Sequence, residues 1–539
     1  VLASCPGPAA AVEVLDGRAF YFGELHAHTG LSADGGSSDL GNCDPGGCGD
    51  LVDYFSNARD LAGLDFAAIT DHINGNFAID GADWPQIVDL VDAGHAPQDG
   101  FVALLGAEVQ LGLDDGTDLG HRNYLFFGDP QQVGSLAMDQ LAGIAGQPSC
   151  EDMWSAVAAI EDAAGPLLLL PHHPASSIPM PTRWWCQDER LAPLVEVYSG
   201  HGNSRDFPDR DDYDPLFFPY TGGSTINEAL AVGLWGLHLG LIGGTDFHDT
   251  WPGMVCHTDL MLEDQAYGGS LTGVVLDEGR AFDRESLYDA LLHRHAFATT
   301  GPQVPVLLTA LDEAGDEIGV AGDILSPPPE GPVSLRITFP ASLAPHVLDV
   351  QLYDSSQQPT PVPQVSPGVH ELALEGWEVP WFGYAIVQID GGSWYASQGV
   401  ICEDGGVDDQ ERVWTSPIWF EELDDHDGDG DGFSELDGDC DDMLASIHPG
   451  AAEQANGVDD DCDGDVDEGL ELPEGIDWLD DDVTTDDDDS ADDDGGGSSP
   501  GDDDCDCRLA GEAAPPLVSR IGLLVLIAAV ARRLRRRTP

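Results

Sequence analysis

Histidines and carboxylates recur along roughly the first three hundred residues in groups with the spacing of metal ligands. His26-Ala27-His28 comes first, and in extended chain side chains at i and i+2 point the same way, so both imidazoles can reach one cation. Asp34 follows on the adjoining loop. Further on stand Thr70-Asp71-His72, Gly106-Ala107-Glu108, Gly120-His121-Arg122-Asn123, Pro171-His172-His173-Pro174 and Gly244-Thr245-Asp246-Phe247-His248. Each group alone is weak, because paired histidines also occur on solvated strands and an Asp-His can simply end one. Their recurrence in one segment points to a shared metal site. Such a site activates a water for hydrolysis, while a neighbouring cation takes the negative charge developing on the substrate oxygen. No Ser or Cys nucleophile is needed. Asp71 and Glu24 are candidates to orient imidazoles from behind. Arg122 and His201 are candidate catalytic residues, to bind an anionic substrate or protonate its leaving group. His95, His238, His257, His293 and His295 lack such placement and read as surface or satisfied core residues.

These groups need elements that bring them together. Residues 18–302 alternate short apolar runs with amphipathic stretches, the pattern of an α/β fold. Strands are expected at Phe20–Leu25, Phe66–Thr70, Phe101–Glu108, Leu167–Pro171, Leu194–Tyr198, Leu239–Gly243 and Ala296–Thr299, with Asn123–Phe127 an extra strand or one arm of a hairpin. Helices are expected at Leu51–Ala62, Asp152–Ala164, Asn227–Leu237 and Arg284–Arg294. Strand–helix units in this number suggest a seven-stranded α/β barrel with its site at the carboxyl ends of the strands. All the groups but that of His121 fall at that end.

The order His-x-His, Asp, Thr-Asp-His, Gly-x-Glu, Gly-His-x-Asn, Pro-His-His, Asp-x-His resembles the polymerase and histidinol phosphatase (PHP) superfamily, and within it the exported CehA/McbA-type metallohydrolases. Gly23-Glu24-Leu25-His26-Ala27-His28-Thr29 and Val195-Glu196-Val197-Tyr198-Ser199-Gly200-His201-Gly202 are similar to that branch. The resemblance implies a distorted seven-stranded (β/α) barrel with a trinuclear site of Zn, Mn or Fe. It implies that His26, His28, Glu108 and Asp246 hold one metal, and that Glu108, His121 and either His172 or His173 hold a second. Strand geometry places His172 nearer the strand end, whereas His173 precedes Pro as in other members. Asp34, His72 and His248 would hold the third, with Asp34 where several relatives carry His.

Composition sets the surroundings. The 539 residues, too many for one ordinary core, carry 19 basic against 100 acidic side chains, a formal charge of -81 that repels nucleic acid. Eleven cysteines point to an oxidising compartment. Cys43/Cys48 and Cys440/Cys462 lie in loops that a disulfide could staple, while Cys150, Cys186 and Cys256 read equally as buried free thiols. Residues 1–17 resemble a lipoprotein leader remnant around Leu2-Ala3-Ser4-Cys5. Residues 303–420 read as a β-rich, sandwich-like region integral to the enzyme, with Thr415-Ser416-Pro417-Ile418-Trp419 resembling a closing strand of such barrels.

Residues 421–470 set Asp425, Asp427, Asp429, Asp431, Asp437, Asp439 and Asp441 mostly at alternate positions with glycines between, as Ca²⁺ requires. The stretch is similar to the Cys-containing Asp-rich repeats of bacterial surface proteins and to thrombospondin type 3 calcium repeats. Residues 471–507 are an acidic linker too polar to order itself. In residues 508–539 the apolar run Leu517–Ala531 precedes an Arg cluster; with Cys505-Asp506-Cys507 it resembles a MYXO-CTERM sorting tail, implying cell-surface or outer-membrane anchoring. The expected function is an exported metal-dependent hydrolase of phosphate mono- or diesters. The alternatives are a hydrolase of carbamate, amide or carboxylic ester bonds, and a non-catalytic surface adhesion protein.

Overall fold

The computed structural model describes residues 13–32, 51–75, 78–79, 81–136, 138–177, 180–207, 219–231, 235–248, 250–253, 270–327, 331–374, 377–398, 410–421, 433, 447–452 and 462. All lie within the unit Val1–Leu470. Among them the chain is mixed α/β. The principal strands are β1 (Arg18–Glu24), β2 (Phe66–Ile69), β3 (Val102–Gly112), β4 (Asp118–Phe126), β5 (Leu167–Pro171), β6 (Leu194–Ser199), β7 (Gly240–Gly243), β8 (Leu271–Asp277) and β9 (Ala296–Thr299). Most are buried on both faces, which explains their near-continuous apolar runs.

One large sheet runs β9-β8-β1-β2-β3-β4-β5 along this part of its path. β1, β2 and β3 are parallel, β4 is antiparallel to both neighbours, and β8 is antiparallel to β1 and β9. β6 and β7 pair in parallel in a separate short sheet. Among the described residues, hydrogen bonding therefore does not close the expected seven-stranded barrel. The reason is local: β3 turns back at Asp114–Thr117, with Gly116 at φ +86°, so β4 enters by a hairpin instead of a helical crossover. The strands nonetheless wrap a shared core, since Tyr21, Phe66, Leu104, Leu125, Leu168, Leu194, Ile242, Val274 and Ala296 pack together.

Three helices matter most. α1 (Trp84–Gly94), which is not among the helices expected from the sequence, buries Trp84, Ile87, Val88 and Val91 at helical spacing. α2 (Cys150–Ala164) starts where the Ser149 side chain accepts from the Asp152 amide, with Glu151 and Asp152 favouring the positive end of the helix dipole. α3 (Arg284–Leu292) is capped reciprocally by Asp283 and Ser286. Of the helix expected at Asn227–Leu237, the described residues form Ile226–Leu230, and residues 232–234 lie outside the described residues. Cys150 and Cys186 are not free thiols: they form a disulfide across 36 residues that ties the start of α2 to the loop after β5.

Residues from 303 onward continue the same architecture. The strand Gln410–Thr415 pairs with β9 and with Trp381–Asp390, which pairs in turn with Ile418–Phe420. A five-stranded sheet that includes Leu307–Leu311, Ser334–Thr338 and Val369–Ala373 packs against it, in a core with Phe20, Phe22 and Phe297. Glu13–Leu15, within the segment read as a leader remnant, forms a hairpin with β1. No helix among the described residues is long and apolar enough to cross a membrane.

Candidate metal centre

The strand ends are fastened to one another by main-chain hydrogen bonds beyond the regular ladders. The Asp246 amide donates to the His26 carbonyl at 2.7 Å and the His28 amide to the Phe247 carbonyl at 2.8 Å. The Glu108 amide donates to the Asp71 carbonyl at 3.0 Å. Residues far apart in sequence thus end at one place. On β2 to β5 the face that buries Ala68, Leu104, Leu125 and Leu170 in the shared core leads by steps of two to His72, Glu108, His121 and His172.

Glu108 lies at the middle of the cluster and its two oxygens face different imidazoles. Oε1 is 2.5 Å from His121 Nδ1 and 3.1 Å from His172 Nε2. Oε2 is 3.1 Å from His28 Nε2, 3.3 Å from His72 Nδ1 and 3.7 Å from His26 Nε2. Asp246 divides in the same way: Oδ1 is 3.2 Å from His26 Nε2 and 3.4 Å from His28 Nε2, whereas Oδ2 is 3.0 Å from His201 Nε2.

Four groups place their donor atoms within 4.8 Å of one another: Glu108, His121, His172 and His173; His28, His72 and His248; His26, His28, Glu108 and Asp246; and His173, His201 and Asp246. The donor set fits divalent transition metals, which take imidazole nitrogen and carboxylate oxygen. A further observation agrees. Nε2 of His121 and Nδ1 of His172 and His173 are buried without a hydrogen-bond partner, an arrangement costly for a polar core unless the lone pairs serve a ligand.

Electrostatics match those donors. Burial alone would raise the Glu108 carboxyl, but His72, His172 and His121 outweigh it and hold the group well below its ordinary range. Asp246 is likewise lowered against burial by His26 and His201. Burial, reinforced by neighbouring histidines, pushes His172 down to about 3 and His173 well below its usual value, leaving both neutral and able to coordinate. Burial opposes charge on His28, yet Asp246 and Glu108 carry it up to about 10. Those protons stand where metal cations would supply the positive charge instead.

A second layer of side chains aims the imidazoles. Glu196 Oε2 is 2.8 Å from His26 Nδ1 and so fixes that ring. Asp71 accepts from the Thr29 amide and hydroxyl, both at 2.7 Å, and from the Ser32 hydroxyl at 2.8 Å; Ser32 Oγ lies 3.3 Å from His28 Nδ1. Glu24 holds the main chain and not a ring, accepting from the His26 amide at 2.9 Å and the Thr245 amide at 3.0 Å. Burial raises Glu24 to about 8. Gly244 is required for closeness: a Cβ there would lie 2.6 Å from His26 Cβ and 2.7 Å from Glu196 Oε2. His173 at φ +31° and Asp246 at φ +55° hold left-handed backbone, a strain typical of functional sites. Glu196 was not singled out as functional from sequence, although an acid within a strand buried on both faces was the available signal.

Placement corrects one expectation and leaves others aside. Arg122 stands opposite Val109, whose side chain packs in the outer core beneath the helices, while Glu108 pairs with Asn123. Alternation along the strand turns Arg122 away from the metal ligands, where it is fully buried, 3.2 Å from Gln187 Oε1 and 3.5 Å from Thr182 Oγ1. Burial pushes its guanidinium down to about 9. His201 does join the cluster, at its more open side, with 31% of its side chain exposed. Asp34 and the acidic residues Asp425, Asp427, Asp429, Asp431, Asp437, Asp439 and Asp441 lie outside the described residues.

Residues 439–468 match the family Cu-binding MopE, described as a proposed metal-binding motif. No curated protein matches the chain. Among solved structures it is similar to a two-domain protein from Bacteroides vulgatus described as containing a predicted PHP-like metal-dependent phosphoesterase, at 15% identity over 72% of this chain and 95% of that one, with a TM-score of 0.34. A likeness of that degree adds no weight to a functional reading, which rests on the geometry.

Proposed function

We propose that the chain is a metal-dependent hydrolase acting on phosphate mono- or diesters. The observation that carries this reading is the division of the Glu108 carboxylate, with Oε1 toward His121 and His172 and Oε2 toward His28 and His72. Two cations sharing that carboxylate would acidify a water between them and neutralise charge on a phosphoryl oxygen. His26, His28, Glu108 and Asp246 would hold one cation and Glu108, His121 and His172 a second, while His72 and His248 with Asp34 would serve a third. Glu196 keeps the His26 ring in the tautomer that leaves Nε2 free to coordinate. The main-chain bonds from Asp246 and His28 fix the two ends of the donor set before substrate arrives.

Export to an oxidising compartment, with residues 508–539 as a surface anchor and Ca²⁺ held in the Asp-rich segment, completes the proposal. The Cys150–Cys186 disulfide agrees with an oxidising compartment, and the motif match at residues 439–468 with metal binding in the Asp-rich segment. Aryl phosphate, phosphodiester, carbamate and carboxylic ester substrates should be compared on the wild type and Asp246→Ala. Phosphoester turnover that the variant loses is expected. Turnover confined to another ester class, or equal in both proteins, contradicts the proposal.

A further inference from the structure

The two histidines of Pro171-His172-His173-Pro174 face different partners. His172 Nε2 lies 3.1 Å from Glu108 Oε1, within the set that bridges through Glu108. His173 also belongs to a second set with His201 and Asp246. The rings of His173 and His201 have centroids 5.0 Å apart, and His201 Nε2 is 3.0 Å from Asp246 Oδ2, the oxygen not turned toward His26 and His28. His173 Nδ1 is buried and has no hydrogen-bond partner.

Two imidazoles and one carboxylate form a facial set that holds a divalent transition metal and leaves coordination positions open. His201 is the most exposed member of the cluster's histidines, with 31% of its side chain accessible against 12% for His72 and 14% for His248. Open positions of a cation held there would face solvent, where a substrate enters.

We infer that His173, His201 and Asp246 form an additional cation site on the solvent side of the centre, with His201 as a ligand and not an acid for the leaving group. His172 and His173 are then both ligands, each to a different cation, and Asp246 bridges through its two oxygens as Glu108 does. The site rests on the metal-centre reading above, because Asp246 serves both.

The test uses the full chain with Ca²⁺ in excess to occupy the Asp-rich segment and Co²⁺ as the probe. Bound cobalt is counted by elemental analysis in wild type, Glu108→Ala, His201→Ala and His201→Cys, each checked for folding by circular dichroism. His201→Ala should carry about one cobalt fewer than wild type and keep the rest, whereas Glu108→Ala loses the inner cations. His201→Cys should restore the missing cobalt and add a thiolate-to-cobalt charge-transfer band absent from His201→Ala. Equal cobalt in wild type and His201→Ala, or a His201→Cys protein without that band, overturns the inference while leaving the inner centre standing. A wild type that binds no cobalt overturns both.

Discussion

Two of the clusters of histidine and carboxylate among the described residues are built to opposite rules. At His238, both ring nitrogens are satisfied: Nδ1 is 3.1 Å from Glu189 Oε2 and Nε2 is 3.0 Å from Glu421 Oε1. At the strand ends the proportions reverse, with eight histidines drawn around Glu108 and Asp246 among the described ligand sets, and three buried ring nitrogens there have no hydrogen-bond partner. The first cluster is closed by its own members and works as an ionic clamp between the loop of Glu189 and the end of the last strand. The second has more donors than its acceptors can use, which is the signature of a site that waits for cations. Residue type does not separate the two; the balance of donors and acceptors does.

The largest effect should come from breaking that balance at its centre. Glu108→Gln keeps the shape but removes the shared charge, and should lower phosphoesterase activity on the order of 10³-fold together with metal content, read by steady-state kinetics and elemental analysis. Next comes the residue behind a ligand. Glu196→Gln should weaken metal affinity by about 10–100-fold while thermal unfolding of the metal-free protein changes little, measured by competition with a chelator.

The clamp should respond to pH and not to metal. Burial disfavours charge on His238, but hydrogen bonds to Glu189 and Glu421 raise it to about 9. A folded pKa above the unfolded value of about 6.5 means stability that is fully present below pH 6.5 and lost as pH rises through 9. Denaturant unfolding of wild type should therefore lose stability over that window, roughly 1–2 kcal/mol after solvent screening of the partly exposed pair, and His238→Gln should flatten the slope with metal content unchanged. The smallest effect is expected at Arg122. Arg122→Met should leave bound metal and KM within about threefold of wild type, because a buried arginine can often be replaced by an apolar side chain of similar volume; a large rise in KM would return Arg122 to the substrate.

Much of the centre was legible because metal ligands sit where strands end, and strands announce themselves by apolar runs. His26, His28, Glu108 and Asp246 could be placed at one end of the fold for that reason, whereas His121 and the division into ligand sets followed from the family resemblance. What could not be read was direction. Arg122 adjoins His121 in sequence, yet strand alternation sends the two side chains to opposite faces. The barrel was over-read for a related reason: apolar runs do not reveal whether a strand arrives by hairpin or crossover, so the hairpin at β4 stayed one of two readings and the antiparallel β8 was not expected. Glu196 escaped attention because its role depends on a partner 170 residues away.

The central claim is that Glu108 is shared between cations. Wild-type protein and Glu108→Gln, purified with Zn²⁺ or Mn²⁺ and Ca²⁺ present, should be compared for transition metal per folded chain. The account predicts on the order of two to four ions in wild type and loss of most of them in the variant. A folded wild type without transition metal, or a variant that retains the full complement, would contradict it.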